Sequence, residues 1–211
     1  MLYKETVNPL LLKIAKEIFE LKEFENFVLV GGTALSLQIG NRISIDIDLF
    51  SKNEFDNKFL IQTLSNNFKL KVNNQFKNSL LTTIENIKVD IISHQYEWIV
   101  NPLKIEGINV ASLEDITAMK LEAISDNGTR LKDFIDIAFL SSTFTLEQML
   151  SFFEKKYPYA NSMIAFKSLN WFDDINFDVE IVYINEKLAW RQIKNRILEM
   201  TQYPQKIFSP L

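Results

Sequence analysis

At 211 residues, 47% hydrophobic and 24% charged, the chain has the makeup of an ordinary globular protein, long enough for a sizeable core as one large domain or two small ones. The absence of cysteine excludes disulfides, thiolate zinc sites and a cysteine nucleophile, and a single histidine, His94, excludes a His-rich metal centre. A formal net charge of −4 argues against broad electrostatic capture of nucleic acid but leaves room for a local basic surface.

No apolar stretch is long enough to span a bilayer, and the opening MLYKETVNPL lacks the charged-then-apolar form of a signal peptide, so a cytoplasmic protein with no membrane partner is expected. Seventeen phenylalanines suggest a core filled with aromatics. In chain order, Asn8 is a good N-cap and Pro9 suits the first helical position. Leu11, Ile14, Ala15, Ile18, Phe19 and then Phe24 recur at helical spacing.

The next stretch, FVLVGGTALSLQIGNRISIDIDLF, organises the rest. An apolar run, Phe27 to Val30, stops at Gly31-Gly32, and a short amphipathic segment from Thr33 to Ile39 ends at Gly40. Ser44 to Phe50 then alternates. As a strand it points Ser44, Asp46, Asp48 and Phe50 one way and Ile45, Ile47 and Leu49 into a core. The Asp46 and Asp48 Cα atoms would lie roughly 6.5–7 Å apart, near enough to share a divalent cation. With no thiolate and one imidazole, that cation is held by oxygen, which favours Mg²⁺ or Mn²⁺. Gly31 and Gly32 let the backbone approach a ligand and offer N–H groups at a helix start to a triphosphate. Arg42 is a candidate phosphate contact beside Ser44, a solvated loop end being the alternative.

Asn53 or Ser51 caps a helix from about Glu54 to Phe68, with Phe55, Phe59, Leu60 and Leu64 as its stripe. Three β-forming segments follow, Lys69 to Gln75, Leu80 to Glu85 and Ile87 to Ser93, with turns at Asn73-Asn74 and Glu85-Asn86. Asp90 lies inside the apolar third segment, where a lone carboxylate is expensive, and it completes a three-carboxylate set. It is also a candidate base for the attacking hydroxyl. Lys69, Lys71, Lys77 and Lys88 surround these strands, most simply as a solvated surface.

The composition shifts near Pro102 to Gly107, and helices follow. They are expected over Leu113 to Ser125, capped by Ser112 with Asp115 in a capping-box-like contact, and over Thr129 to Leu140 after the Asn127-Gly128 break. Thr145 with Gln148 caps Leu146 to Lys156, and Tyr159 to Leu169 and Asn185 to Met200 complete the set. The outline is an α/β domain over residues 1–105 and a helical domain over 106–211. Trp98, Trp171 and Trp190 are expected to pack rather than stack on bases. In RLKDFID, Asp133 and Asp136 share a helix face with Arg130 three residues before the first, a spacing typical of a salt-bridged surface helix. Lys120 stands upstream, across the break.

GGTALSL, RISIDIDLF, VDII and RLKDFID, in this order, resemble the AbiEii/AbiGii nucleotidyltransferase toxins of bacterial abortive-infection and toxin–antitoxin systems. The resemblance spans about Phe27 to Leu140. It implies a polymerase-β-like nucleotidyltransferase mixed sheet with a mostly helical C-terminal region. It further implies Mg²⁺-dependent nucleotide transfer from an NTP to an acceptor hydroxyl, the 3′ end of tRNA, with a cognate antitoxin as partner. Carried over by position, Gly31, Gly32 and Thr33 form the phosphate-binding turn and Asp46 and Asp48 the metal ligands. Lys120, Arg130 and Lys132 hold the triphosphate, and Asp133 or Asp136 orients them or acts as base. Asp90 and Asp133 remain alternative bases. A transferase modifying a small molecule or a protein side chain, and a catalytically silent interaction protein, are the rival readings.

Overall fold

Asn8 opens the first helix as expected. Its Oδ1 accepts the Leu10 amide at 2.8 Å, Pro9 fills the first position of α1 (Pro9–Glu20), and Leu11, Ile14, Ala15 and Ile18 are buried along one face. The helix ends sooner than Phe24, which is buried from a separate 3₁₀ turn, Lys22–Phe24. The computed structural model describes residues 2–184 and 188–211. The chain divides into two units, Met1–Glu97 with Asn101–Ser112, and Trp98–Val100 with Leu113–Leu211.

The first unit holds one seven-stranded sheet in the order β3-β4-β5-β2-β1-β7-β6. Its strands are β1 (Val28–Val30), β2 (Asp46–Ser51), β3 (Leu70–Phe76), β4 (Ser79–Ile84), β5 (Ile87–Ser93), β6 (Leu103–Ile105) and β7 (Ile108–Val110). β2 runs parallel to β5 and β1 parallel to β7, while the other neighbours are antiparallel, so the sheet is mixed. Ile47, Leu49, Leu80, Val89 and Ile91 are wholly buried on one face of it. The intervening Asp46, Asp48 and Asp90 are half-buried on the other. Helix α2 (Gly31–Ile39) links β1 towards β2, and α3 (Asn57–Asn67) links β2 towards β3.

Several expectations change here. Strand β2 begins at Asp46, and Ile45 is 58% exposed instead of in the core. Ser44 is held apart in a parallel bridge to Val7, its amide donating to the Thr6 carbonyl at 2.8 Å, so the alternation starts one step later. Helix α2 is buried on all sides from Thr33 to Leu37 and is not amphipathic. Helix α3 starts at Asn57, because Asp56 takes the cap from the Lys58 amide, and Phe59 is left exposed. Asn73-Asn74 is not a turn: it is a bulge inside β3, and the chain reverses at Lys77-Asn78, with Asn78 at φ 56°. The Glu85-Asn86 turn is present. Residues 103–110 form a β6–β7 hairpin in the sheet, an element absent from the expectations.

The second unit is helical: α4 (Leu113–Asp126), α5 (Leu131–Leu140), α6 (Leu146–Lys156), α7 (Ser162–Ser168) and α8 (Trp190–Gln202). The Thr145–Gln148 capping box forms in both directions. The expected start of the last helix at Asn185 lies outside the described residues. Asp115 has a larger part than capping: its buried carboxylate accepts the Ile99 and Val100 amides and the Lys156 ammonium at 2.7 Å. That ammonium also lies over the Trp98 ring. These contacts tie Trp98–Val100 to the helices. Trp190 packs against Phe134, Phe172 and Phe177, but Trp171 is 57% exposed. The core is chiefly aliphatic, since among the described phenylalanines only Phe24, Phe27, Phe134, Phe153 and Phe208 are buried. No described helix is long and apolar enough to cross a membrane.

Candidate active site

Strand β1 runs into Gly31 at φ +69°, a left-handed conformation that costs a side-chain-bearing residue about 1–2 kcal/mol. A Cβ at Gly31 would also collide with the Asp48 carboxylate. At Gly32 a Cβ would lie 2.6 Å from Arg42 Nη2 and 3.4 Å from Ser44 Oγ. The Gly-Gly turn is therefore pressed between an acid on one side and a guanidinium on the other. Val30 stands at the N-cap of α2 and offers no side-chain cap to the amides that follow.

Arg42 is buried, contrary to the solvated alternative, and its Nη1 donates to the Ile43 carbonyl at 3.3 Å. Thr33 Oγ1 shares a 2.8 Å hydrogen bond with Ser44 Oγ and also donates to the Asp46 carbonyl. These bonds fix the start of β2 against the start of α2. Gly31, Gly32, Thr33, Arg42, Ser44, Asp46 and Asp48 thus belong to one connected neighbourhood.

Asp90 joins them through strand register. Asp48 is the Cα partner of Asp90 across the parallel β2–β5 pair, and Asp46 is the partner of Lys88. Cross-strand partners share a face, so all three carboxylates and the Lys88 ammonium lie on the same side of the sheet. Lys88 donates to Asp90 Oδ2 at 2.7 Å. That hydrogen bond, with the charges of Asp90, Asp46 and Asp48, outweighs the opposing cost of burial and raises Lys88 above the usual lysine range. Lys88 is 54% exposed at its side chain, as a solvated lysine would be, yet it also pairs with Asp90. Its position two residues before Asp90 in a strand is the signal that places it here.

The donor chemistry suits a hard divalent cation, with carboxylate oxygens only and Asp90 Oδ1 buried without a hydrogen bond. Among the described residues, however, no three His, Cys, Asp or Glu side chains converge as a ready-made cage. The acids are aligned by register and partly neutralised by Lys88.

The second unit carries its own charged cluster. Lys120 Nζ lies 2.5 Å from Asp133 Oδ1 and 2.8 Å from Asp136 Oδ2, and all three side chains are at least nine-tenths buried. The surface salt-bridge reading of RLKDFID does not hold for these acids. Arg130 does project outward, 69% exposed, with Nε 3.5 Å from Asp133 Oδ2, an oxygen that carries no hydrogen bond. Lys132 is the neighbour of Asp133 on α5.

The family model described as nucleotidyl transferase AbiEii toxin of a type IV toxin–antitoxin system matches residues 15–206. The chain belongs to the AbiEii nucleotidyltransferase toxin family. An uncharacterised Aquifex aeolicus (strain VF5) protein, aq_aa25, is 31% identical over 175 residues, covering 80% of this chain and 83% of that one. Among solved structures, MenT4, a nucleotidyltransferase toxin of Mycobacterium tuberculosis H37Rv, is similar at TM-score 0.59 and 12% identity, over 94% of this chain and 83% of that one. JHP933 from Helicobacter pylori is similar at TM-score 0.57 and 19% identity, over 93% and 89% of the two chains. The AbiEii chain is thus a nucleotidyltransferase with the polymerase-β-like mixed fold expected from its motifs.

Proposed function

We propose that this AbiEii chain transfers a nucleoside monophosphate from an NTP to the 3′-terminal hydroxyl of an RNA, tRNA first among them, as the toxin of a phage-defence system held in check by a cognate antitoxin. The observation that carries the reading is the register pairing of Asp48 with Asp90, directly beside the Gly31-Gly32 turn. The Gly-Gly turn and the aligned carboxylates occupy one neighbourhood.

Asp46, Asp48 and Asp90 would hold Mg²⁺ or Mn²⁺, which when bound neutralises charge on the triphosphate and on the leaving pyrophosphate. The amides of Gly32 and Thr33 hold phosphate oxygens at the start of α2, with Arg42 and Ser44 shaping the turn from behind. In the transfer, the acceptor oxygen bonds to the α-phosphorus as its bond to the β-phosphate oxygen breaks. Pyrophosphate leaves with that electron pair, and the hydroxyl proton passes to a carboxylate. Asp90 is the proton acceptor beside these acids under this reading, with a buried oxygen that makes no hydrogen bond. In the second unit, Asp133 and Asp136 hold Lys120 in a buried cluster beside the exposed Arg130.

The test is incubation with each α-labelled NTP, Mg²⁺ and total RNA, beside an Asp46→Ala/Asp48→Ala variant. Label is expected at RNA 3′ ends with the wild type alone. Equal labelling by both proteins sinks the mechanism, and label on protein or a small molecule moves the acceptor to the rival class.

A further inference from the structure

The acidic face of the sheet does not end at the acids. Register carries it outward strand by strand: Asp46 pairs with Lys88, Lys88 with Thr83, and Thr83 with Lys71 on edge strand β3. Partners share a face, so Lys71 lies on the same side as Asp46, three strand spacings or roughly 14 Å away. A second row runs from Phe50 through Ile92 and Ser79 to Phe76. Phe50 is four residues on from Asp46 in the same strand, so Phe76 also faces the acid side, and it is 60% exposed. Every residue of β3 from Lys71 to Phe76 is exposed, and Asn73 Nδ2 donates to Thr83 Oγ1 at 2.8 Å, keeping the strip polar.

We propose that this open face, from the carboxylates to β3, seats the strand of a single-stranded RNA acceptor, with Lys71 and Lys88 towards its phosphates and Phe76 under a base. The inference rests on the reading of RNA as acceptor and adds where its backbone runs. An acceptor must bring its 3′ hydroxyl to the acids, so its upstream phosphates leave across the adjoining surface. Here that surface offers cations aligned with the acids and an exposed aromatic ring, the two parts that single-strand binders combine. Edge lysines also discourage strand pairing, but that duty requires neither alignment with the acids nor a bare phenylalanine beside them. Among the described residues no carboxylate forms an ion pair with Lys71, which leaves its ammonium available to phosphate.

The test is fluorescence anisotropy of a labelled 12-nucleotide single-stranded RNA with the full chain, in chelator and without NTP, over a range of salt concentrations. Lys71→Gln is expected to weaken binding several-fold and to flatten the log–log salt slope by about 0.7, one phosphate contact's share on a single strand. Phe76→Ala is expected to weaken binding about fivefold or more with the slope unchanged. Both positions are exposed, and circular dichroism checks that the variants fold. Failure of the wild type to bind RNA, or Lys71→Gln binding with wild-type affinity and slope, overturns the proposal. RNA binding with these signatures but no nucleotide transfer to RNA overturns the acceptor reading and leaves the docking face standing. Transfer to RNA with an unaffected Lys71→Gln overturns the docking face alone.

Discussion

Replacing Lys120 with Met isolates the part of the second unit's cluster that is structural. In the wild type the Lys120 ammonium lies 2.5 Å from Asp133 and 2.8 Å from Asp136, with side-chain exposures of 7%, 2% and 0%. Methionine fills nearly the same volume but removes the ammonium that lies between two buried carboxylates. Breaking a buried pair from one side costs about 3–5 kcal/mol. For a chain of this size that is a fall in Tm of about 6–20 °C. Lys13→Met, which removes a 3.7 Å surface pair with Glu17, is the control and should cost less than about 0.5 kcal/mol. Urea denaturation of the three proteins gives the comparison, and adding Asp136→Asn to Lys120→Met should return part of the loss. A Lys120→Met protein within about 1 kcal/mol of wild type would mean instead that the cluster is hydrated.

Gly31→Ala forces a side chain into φ +69° and against Asp48. It should cost at least about 1–2 kcal/mol and depress transfer more than stability, read by a labelled-NTP assay beside thermal melting. Thr145→Ala removes one half of the capping box on α6. A loss of about 1 kcal/mol by denaturant titration, with transfer unchanged, is expected. Glu106 is held below the usual carboxylate range by hydrogen bonds from Lys4 and then Lys16, and by their charge. A lowered folded-state pKa gives stability that is present above the unfolded value and lost as pH falls through the folded one. The Tm gap between wild type and Glu106→Gln should therefore be open at neutral pH and close as pH falls below about 4.

The acids were legible because a strand repeats every two residues. Asp46, Asp48 and Asp90 each interrupt an apolar alternation, and register then had few ways to align them. At Ile45 the sequence misleads, because the alternation continues past the strand's true start and only the Ser44–Val7 bridge reveals where pairing begins. The β6–β7 hairpin escaped because its strands have three residues each, too few for a period to show. Asn73-Asn74 carries the composition of a turn and became a bulge, a choice made by the partner strand β4. Long-range pairing hid the rest. Nothing local indicates that Asp115 meets Lys156, 41 residues away, or that Lys120 sits between Asp133 and Asp136.

Catalysis by the register-aligned carboxylates beside the Gly-Gly turn is read out by counting pyrophosphate released against labelled nucleotide incorporated into RNA, for wild type and for Asp46→Ala/Asp48→Ala. One pyrophosphate per nucleotide is expected from the wild type and background on both counts from the folded variant. Incorporation by the variant at the wild-type rate would mean that these carboxylates do not drive the transfer.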